Sequence, residues 1–170
     1  MTQPTRLETR SRDRLPFRDL RQLPSSHIPN ILHELRNLER KTFASNEVFA
    51  FDDSLLSKRN VGVIVGLSTQ AAQQTLVAYA VCVKWHHRLL LHKVCVSPIY
   101  RHQGIGHELM QEIIERARRW PCRGIDLWVD ESNQIARGLY SKHDFVTKDI
   151  VQDYYSTGRN GVKMLHAMQP

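Results

Sequence analysis

Cysteine is scarce in this sequence, and the cysteines present form no recognisable pattern. Only three occur among the 170 residues, namely Cys82, Cys95 and Cys122, and no two of them make a CxxC pair. Their number and spacing favour unpaired thiols in a reducing compartment over a disulfide framework. We therefore expect a cytoplasmic protein, with a nuclear location as an open alternative.

Long apolar runs, internal repeats and low-complexity tracts are also missing. No stretch reaches the roughly 20 apolar residues of a membrane helix, which excludes a membrane-spanning protein, and the lack of repeats excludes solenoids and fibres. The first arginines are interleaved with acidic residues and flank no apolar centre, unlike a transit or signal peptide. We predict a flexible basic N-terminal extension at residues 1–15 and one domain over residues 16–170.

Positive charge is in excess. The chain carries 24 Lys and Arg against 17 Asp and Glu, a formal net charge of +7. This balance favours an anionic partner such as a phosphorylated cofactor or a nucleic acid. The nucleic acid is less favoured because no helix-turn-helix, RNP or zinc-finger pattern accompanies the charge. No metal is expected either, since His86 and His87 are adjacent on a turn and no carboxylate lies at ligand spacing from them or from His92.

Hydrophobic periodicity predicts a mixed α/β domain with about six to seven strands and about four helices. The predicted strands are Phe17–Leu23, Val61–Leu67, Thr75–Trp85, Leu89–Val96, Gly124–Val129, Phe145–Val151 and Gly161–Ala167, with Ser68–Gln74 as a hairpin loop. The predicted helices are His27–Phe43, Asn46–Lys58, Ile105–Trp120 and Gln134–His143. Because strands come first and then alternate with helices, we expect one mixed sheet covered on both faces.

The segment with the clearest chemical signal joins the strand ending at Val96 to a long helix. Its turn reads Arg101-His102-Gln103-Gly104-Ile105-Gly106. The glycines allow a ligand to approach bare backbone amides, and the N-terminus of the following helix favours a phosphate. The dinucleotide pattern GxGxxG does not fit because Leu109 occupies its third glycine position, and no GK[ST] follows as in a Walker loop. The pattern Arg-x-x-Gly-x-Gly between a strand and a helix therefore predicts a phosphate-binding loop.

Together with a second block, this loop resembles the GNAT superfamily of acetyl-CoA-dependent N-acetyltransferases. The loop is similar to the pyrophosphate loop of that family. Asn133, Ala136, Leu139-Tyr140 and Phe145 are similar to its Asn…Ala-x-x-Leu-Tyr…Gly-Phe segment, although Asp144 stands where glycine is usual. The resemblance covers residues 16–168 and implies a single-domain, mostly antiparallel mixed sheet that is splayed between its two central strands.

The resemblance also implies a site for acetyl-CoA, used as a co-substrate without a metal, in the V between the splayed strands near Val94–Val96 and Trp128. Backbone amides would hold the pantetheine and the pyrophosphate, with Arg101 beside the phosphates. The residues implied in coenzyme binding are Val94, Cys95, Val96, Arg101, His102, Gln103, Gly104, Ile105, Gly106, His107, Asn133 and Tyr140.

Two residues are candidates for the proton transfers of an acetyl transfer to an amine. Tyr140, at the position of the family's tyrosine, is implied as the acid that protonates the coenzyme A thiolate; the alternative is that it packs its helix against the sheet. His92 is the first candidate for the base. Strand alternation places it on the face of Val94 and Val96, and the serotonin-type arylalkylamine acetyltransferases have a histidine there. The alternative for His92 is a core residue with a satisfied hydrogen bond.

Trp128, Tyr154 and Tyr155 are the predicted acceptor-binding residues. The two tyrosines, in a polar loop before the last strand, resemble the paired tyrosines that line the peptide entrance of N-terminal acetyltransferases. Trp128 stands where those enzymes often carry a base, and Asp126 and Asp130 on the same strand face could act through water. The histidine match favours a small aryl or polyamine acceptor instead. Peptide N-termini, lysines and small amines stay open as acceptors, as do the oligomeric state and a domain that binds acetyl-CoA or nucleic acid without catalysis.

We predict that Gly104→Glu abolishes the binding of coenzyme A, because a carboxylate would occupy the place of the phosphates and repel them. Isothermal titration of the purified variant with acetyl-CoA measures this. An affinity equal to that of the unsubstituted protein would show that the loop is only a turn.

Overall fold

A seven-stranded sheet with helices on both faces forms the part of the protein that the structure describes. The computed structural model describes residues 14–70 and 73–168, so residues 1–13 of the predicted extension lie outside the described residues. The strands are β1 (Phe17–Asp19), β2 (Val61–Gln70), β3 (Gln73–Trp85), β4 (Arg88–Val96), β5 (Gly124–Asp130), β6 (Val146–Ser156) and β7 (Arg159–Ala167). The helices are α1 (Ile28–Thr42), α2 (Ile105–Arg118) and α3 (Gln134–Ser141), with 3-10 turns at Leu20–Gln22, Asp53–Ser57 and Pro98–Tyr100. The strand order β1-β2-β3-β4-β5-β7-β6 confirms the predicted mixed sheet, with three α-helices among these residues in place of about four.

The two central strands, β4 and β5, run parallel and separate after a short paired stretch. Pairing joins residues 88–91 to residues 124–127, whereas β4 continues to Val96 and β5 to Asp130. The other neighbouring strands pair antiparallel. The separated ends of β4 and β5 therefore form a V in the middle of the sheet, as the family resemblance implied.

Two apolar clusters, one on each side of the sheet, hold these strands in place. On one side α1 buries Ile31 and Leu35 against β2 and β3, and on the other α2 buries Leu109 and Ile113 against β3, β4 and β5. We call these sides the α1 face and the α2 face. Truncating one such fully buried side chain to Ala costs about 2–5 kcal/mol. No helix within the described residues is both long enough and apolar enough to cross a membrane.

A β-bulge at His92 changes which side chains of β4 point to each face. Leu91 and Lys93 pair with consecutive residues of β3, so His92 between them is an extra residue. As a result Leu91 and Val94 both contact the α2-face cluster although three positions separate them. Simple alternation, which placed His92 on the face of Val94 and Val96, is therefore wrong here, because an inserted residue reverses the alternation.

Residues 46–58 do not form the predicted helix. The chain instead runs as an irregular loop into the 3-10 turn Asp53–Ser57, which begins where the Asp52 carboxylate accepts a backbone N–H at 3.1 Å. A tertiary contact explains the difference, because the amide of Phe49 donates to the carboxylate of Glu39 at 2.8 Å and not to a helical carbonyl. Such a contact outweighs the weak helix propensity of the segment.

The prediction that Tyr154 and Tyr155 lie in a loop is also wrong, because β6 extends to Ser156. Pairing of Ser156 with Arg159 closes a tight hairpin to β7. Gly158 supplies the left-handed residue of that turn, with φ of 78°. The two tyrosines therefore belong to β6, within an irregularity of its pairing with β7 between Val151 and Ser156.

Smaller differences occur where capping ends an element early or pairing extends it. The predicted strand Phe17–Leu23 stops at Asp19, whose carboxylate accepts a backbone N–H at 2.9 Å and begins a 3-10 turn. The predicted loop Ser68–Gln74 is mostly strand, since β2 and β3 pair as far as Gln70 and Gln73. Other strands and helices match their predictions to within a few residues at each end.

Candidate active site

A cleft of about 960 Å³ fills the V between the separated ends of β4 and β5. Its walls come from both strands, from the chain after α1, from α3 and from the end of β6. Eight of the residues predicted from the sequence line it, namely His92, Val94, Arg101, Trp128, Asn133, Tyr140, Tyr154 and Tyr155. Its volume falls in the range of ligand pockets, roughly 300–1,000 Å³.

The predicted phosphate loop leads into the first turn of α2. Gly104 caps that helix with φ of 82°, a left-handed conformation that suits glycine. The first helical hydrogen bonds run from the amides of His107 and Glu108 to the carbonyl of Gly104, so the amides of Ile105 and Gly106 precede the helical ladder. Such amides, together with the positive end of the helix dipole, form a binding site for an anion.

Arg101 and Gly106 have contacts that the sequence pattern does not reveal. The Nε of Arg101 donates to the carbonyl of Val96 at 3.1 Å, which holds the guanidinium beside the end of β4. A Cβ at Gly106 would lie 3.4 Å from Cδ2 of Leu139, an ordinary van der Waals distance, so α2 and α3 are in contact at this position. Gly158→Glu is a matched control for the predicted effect of Gly104→Glu on coenzyme binding. Gly158 also has a positive φ, of 78°, so the substitution causes similar backbone strain, but at a position away from α2.

Other predicted coenzyme-binding residues turn their side chains away from the cleft. Cys95 is buried on the α1 face with its Sγ 4.0 Å from the hydroxyl of Thr42, and burial raises the pKa of the Cys95 thiol. Ile105 is buried in the α2-face cluster. The Nδ1 of His107 lies 3.1 Å from the Nε2 of His143. A role for Cys95 or Ile105 in coenzyme binding therefore depends on the backbone groups of these residues.

Tyr140 forms part of the cleft wall that α3 contributes, and it is almost fully buried. Burial raises the pKa of the Tyr140 hydroxyl well above its ordinary value, and the nearby Tyr155 adds a smaller effect in the same direction. A phenol that stays protonated can donate a proton to a departing thiolate but does not act as a base at neutral pH. Asn133 caps α3 by accepting the Ala136 N–H at 3.1 Å, so the second sequence block builds the helix that presents Tyr140.

His92 reaches the cleft from the bulge in β4. Its ring meets the ring of Phe49 edge to face, with 5.4 Å between the centroids. Desolvation is the main cause that lowers the pKa of His92, and the ammonium of Lys93 lowers it further. The carboxylate of Glu39 has a smaller effect in the opposite direction. The imidazole is therefore neutral at physiological pH, which is the protonation state that a general base needs.

Trp128 and Tyr154 stack as one flat wall of the cleft, with 4.4 Å between ring centroids and 11° between planes. Gly161 of β7 makes this possible, because a Cβ there would lie 2.6 Å from the Cγ of Tyr154. Tyr155 meets Tyr154 edge to face at 4.9 Å, and burial raises the pKa of Tyr155 to about 12. The structure thus brings the three predicted acceptor-binding residues together.

Glu39 is a residue of this region that the sequence analysis missed. Its fully buried carboxylate accepts hydrogen bonds from the hydroxyl of Tyr79 and from the amide of Phe49, and the Nζ of Lys93 lies 3.7 Å away. The ammonium of Lys93 also lies 3.7 Å above the ring of Phe43. The available signal was an acidic residue within the apolar stripe of α1, since a charge kept there needs a buried partner.

Both carboxylates that the sequence offered as indirect bases are bound to arginines. Asp126 pairs with Arg88 at 2.5 and 2.6 Å, at the closed end of the V. Asp130 pairs with Arg159 at 2.8 Å, at the open end. Hydrogen bonds from Ser132 and then from Arg159 lower the pKa of Asp130, which makes it a weak base.

A family model described as Acetyltransferase (GNAT) family matches residues 28–145, which is more than half of the chain. The chain belongs to the GNAT family of acetyltransferases. The matched region contains α1, the phosphate loop and α3, and therefore both sequence blocks on which the resemblance depended. Where the second GNAT block usually has glycine, Asp144 adopts φ of 62°, so this chain makes the left-handed turn with an aspartate.

Relatives of this GNAT chain differ in the acceptor that their names indicate. The chain is 33% identical over 85 residues to the mycothiol acetyltransferase of Stackebrandtia nassauensis, a match that covers 50% of this chain and 28% of that protein. It is 30% identical over 86 residues to the ribosomal protein bS18 alanine N-acetyltransferase of Haemophilus ducreyi, covering 49% of this chain and 57% of that protein. The chain thus spans between 28% and 57% of the length of these two relatives.

The GNAT fold extends over nearly the whole chain in solved structures. The acetyl-CoA complex of Arabidopsis thaliana NAA60 has a TM-score of 0.72 at 16% identity, covering 91% of this chain and 98% of that one. At this identity the likeness shows the shared fold.

We predict that Lys93→Met lowers the free energy of unfolding by about 3 kcal/mol, because the buried Glu39 carboxylate loses its counter-charge. Combining it with Glu39→Gln should recover most of that loss, since no unpaired charge then stays buried. Urea unfolding at neutral pH measures both effects. Lys148→Met, at an exposed position of β6, is the control and should change stability by less than about 0.5 kcal/mol. An equally small effect of Lys93→Met would contradict the prediction.

Proposed function

We propose that this GNAT protein transfers the acetyl group of acetyl-CoA directly to a primary amine within a ternary complex, and that the amine is the N-terminus of a peptide or protein. The observation that carries the proposal is a single cleft with Arg101 and Tyr140 on one side and Trp128, Tyr154 and Tyr155 on the other. Direct transfer requires donor and acceptor to meet in one place with their reacting atoms in contact.

The start of α2 fits the pyrophosphate of coenzyme A. The amides of Ile105 and Gly106 precede the helical ladder, Gly104 has no side chain to block an approach, and Arg101 supplies a charge nearby. The backbone of β4 around Val94, which has no strand partner across the V, would hold the pantetheine. When bound, acetyl-CoA supplies an acetyl group activated as a thioester.

Two side chains of the cleft would move the protons while a C–N bond replaces the C–S bond. His92 accepts the proton of the acceptor ammonium, and the free amine then attacks the thioester carbon. Tyr140 donates its proton to the sulfur as the C–S bond breaks, and the second proton that the nitrogen loses as the amide forms returns to the Tyr140 phenolate. Trp128 has no basic group, and Asp130 is held by Arg159 with a lowered pKa. These facts support His92 as the base.

The aromatic side of the cleft supports a peptide acceptor. Tyr154 is 45% exposed, and Tyr155 stands edge to face beside it, so ring surface and hydroxyl groups are both available to a peptide chain. The relative named for alanine acetylation of ribosomal protein bS18 agrees with this choice. A small aryl amine is the second candidate, because the flat Trp128–Tyr154 stack could be extended by a further ring.

An acceptor panel tests the proposed function. The protein is assayed for thiol release from acetyl-CoA with free N-terminal peptides, the same peptides with a blocked N-terminus and one lysine, spermine, and tryptamine. We expect turnover with free N-termini and none with the blocked peptides. Tyr140→Phe should lower kcat about 100-fold while acetyl-CoA affinity stays within a few fold. Turnover of tryptamine alone would favour the second candidate, and a lack of acetyl-CoA binding would refute both.

We predict that the reaction slows at low pH because His92 becomes protonated. Its surroundings lower the pKa of His92 below the ordinary 6.5, so kcat/KM should be constant near neutral pH and decline only as the pH falls below that value. His92→Gln should remove this decline and lower kcat about 100-fold at neutral pH. Rate profiles of both proteins from acidic to neutral pH measure the effect. The same decline in the variant would exclude His92 as the base.

A further inference from the structure

Side chains bridge the open ends of β4 and β5. Beyond their four paired residues the two strands share no pairing. The Nζ of Lys93 on β4 donates to the carbonyl of Glu47 at 2.5 Å. The carboxylate of Glu47 lies 2.5 Å from Nη1 of Arg159, whose Nη2 lies 2.8 Å from Asp130 at the end of β5. These contacts form one continuous link from one arm of the V to the other.

We propose that this link, which we call the strap (Lys93, Glu47, Arg159 and Asp130), positions the acceptor amine and the proposed base during acetyl transfer. The inference rests on the function proposed above and adds positioning residues to it. The strap residues act by holding the wall of the cleft, and the chemistry stays with the groups already described.

The strap lies on the side of the sheet away from the predicted coenzyme loop. Lys93 contacts Glu39 and Phe43, which places its side chain on the α1 face. The loop that starts α2, and Tyr140 on α3, pack on the α2 face. A coenzyme bound at the start of α2 therefore enters from one face, and the acceptor enters from the other, past the strap.

The strap holds the 44–50 loop, which connects it to the proposed base. This loop has neither helix nor strand, so side-chain contacts decide its position. Glu47 lies in the loop and is held from both arms of the V. Phe49, two residues later, carries the ring that contacts His92. Glu39 also holds the amide of Phe49, so loss of the strap would loosen the loop around Glu47 and, through it, the entrance for the acceptor and the support of His92.

Arginine suits the central position of the strap. Its planar guanidinium offers several N–H groups in a fixed fork, so Arg159 can bind Glu47 and Asp130 together, which a lysine ammonium does less well. The carboxylates are only 20% and 12% exposed, so solvent screens these pairs less than pairs on the open surface. Arg159 also lies 5.3 Å above the ring of Tyr155, which connects the strap to the predicted acceptor wall.

The test compares Arg159→Met with Arg88→Met in the full chain. Arg159→Met removes both ion pairs at the open end of the V. Arg88→Met is the matched control, because it removes the arginine pair with Asp126 across the same two strands at their closed end. Three quantities are measured for each protein: amide hydrogen exchange in residues 44–50, acetyl-CoA affinity by titration, and KM and kcat with an acceptor peptide.

We expect Arg159→Met to increase hydrogen exchange in residues 44–50 and to raise the KM for the peptide about tenfold, with acetyl-CoA affinity unchanged. Arg88→Met should leave loop exchange and peptide KM as they are. Adding Glu47→Gln to Arg159→Met should change the peptide KM little further, because both residues act in one link. Unchanged exchange in the loop, or a lower melting temperature without any change in peptide KM, would overturn the proposal.

Hydrogen exchange needs no acceptor, so the strap and the proposed function can fail separately. If the unsubstituted protein turns over no peptide, the proposed acceptor is wrong, and faster loop exchange in Arg159→Met but not in Arg88→Met still supports the strap. If Arg159→Met acetylates the peptide with a normal KM, the strap proposal is wrong and the proposed function stands.

Discussion

The parting of β4 and β5 is the constraint on which the whole site depends. Strands in a sheet satisfy their backbone groups by pairing. Between these two strands, pairing joins only residues 88–91 of β4 to residues 124–127 of β5. The apolar clusters of α1 and α2 fix the first four strands, while β7 pairs along the full length of β5. Beyond their short paired stretch, β4 and β5 are therefore each held by the neighbouring strand on the side away from the V, and their edges that face the V have no strand partner. A cleft of ligand size is the result.

The bulge at His92 and the buried charge of Glu39 act together on one arm of that V. The extra residue lets Lys93 turn to the α1 face while Leu91 and Val94 both stay on the α2 face. Lys93 can then meet the carboxylate of Glu39, and burial of that pair is tolerable because Tyr79 and a backbone amide complete its hydrogen bonds. One local irregularity thus places a candidate base, a counter-charge and the strand edge proposed to hold the coenzyme within a few residues.

The parts of the fold and site that local pattern encodes were predictable. The apolar stripes of α1 and α2 follow from helical spacing, and the glycine loop before α2 follows from residues next to one another. The face of His92 was not predictable, because a bulge is defined by the register of the partner strand. Residues 46–58 do not form the predicted helix because the carboxylate of Glu39, on α1, binds the amide of Phe49. The ion pairs of Arg159 were not predictable, since its partner Glu47 lies 112 positions away.

The two edges of the sheet have a consequence for how this protein behaves in a crowded solution. An exposed edge strand presents unpaired amides and carbonyls that can recruit another chain. Here β1 is three residues long, and β6 has two shifts of register, near Thr147 and after Val151, as well as the charged side chains of Lys148 and Asp149. Neither edge offers a long, flat, uncharged template. The irregularity in β6 around Tyr154 therefore also makes this strand a poor template for edge-to-edge association.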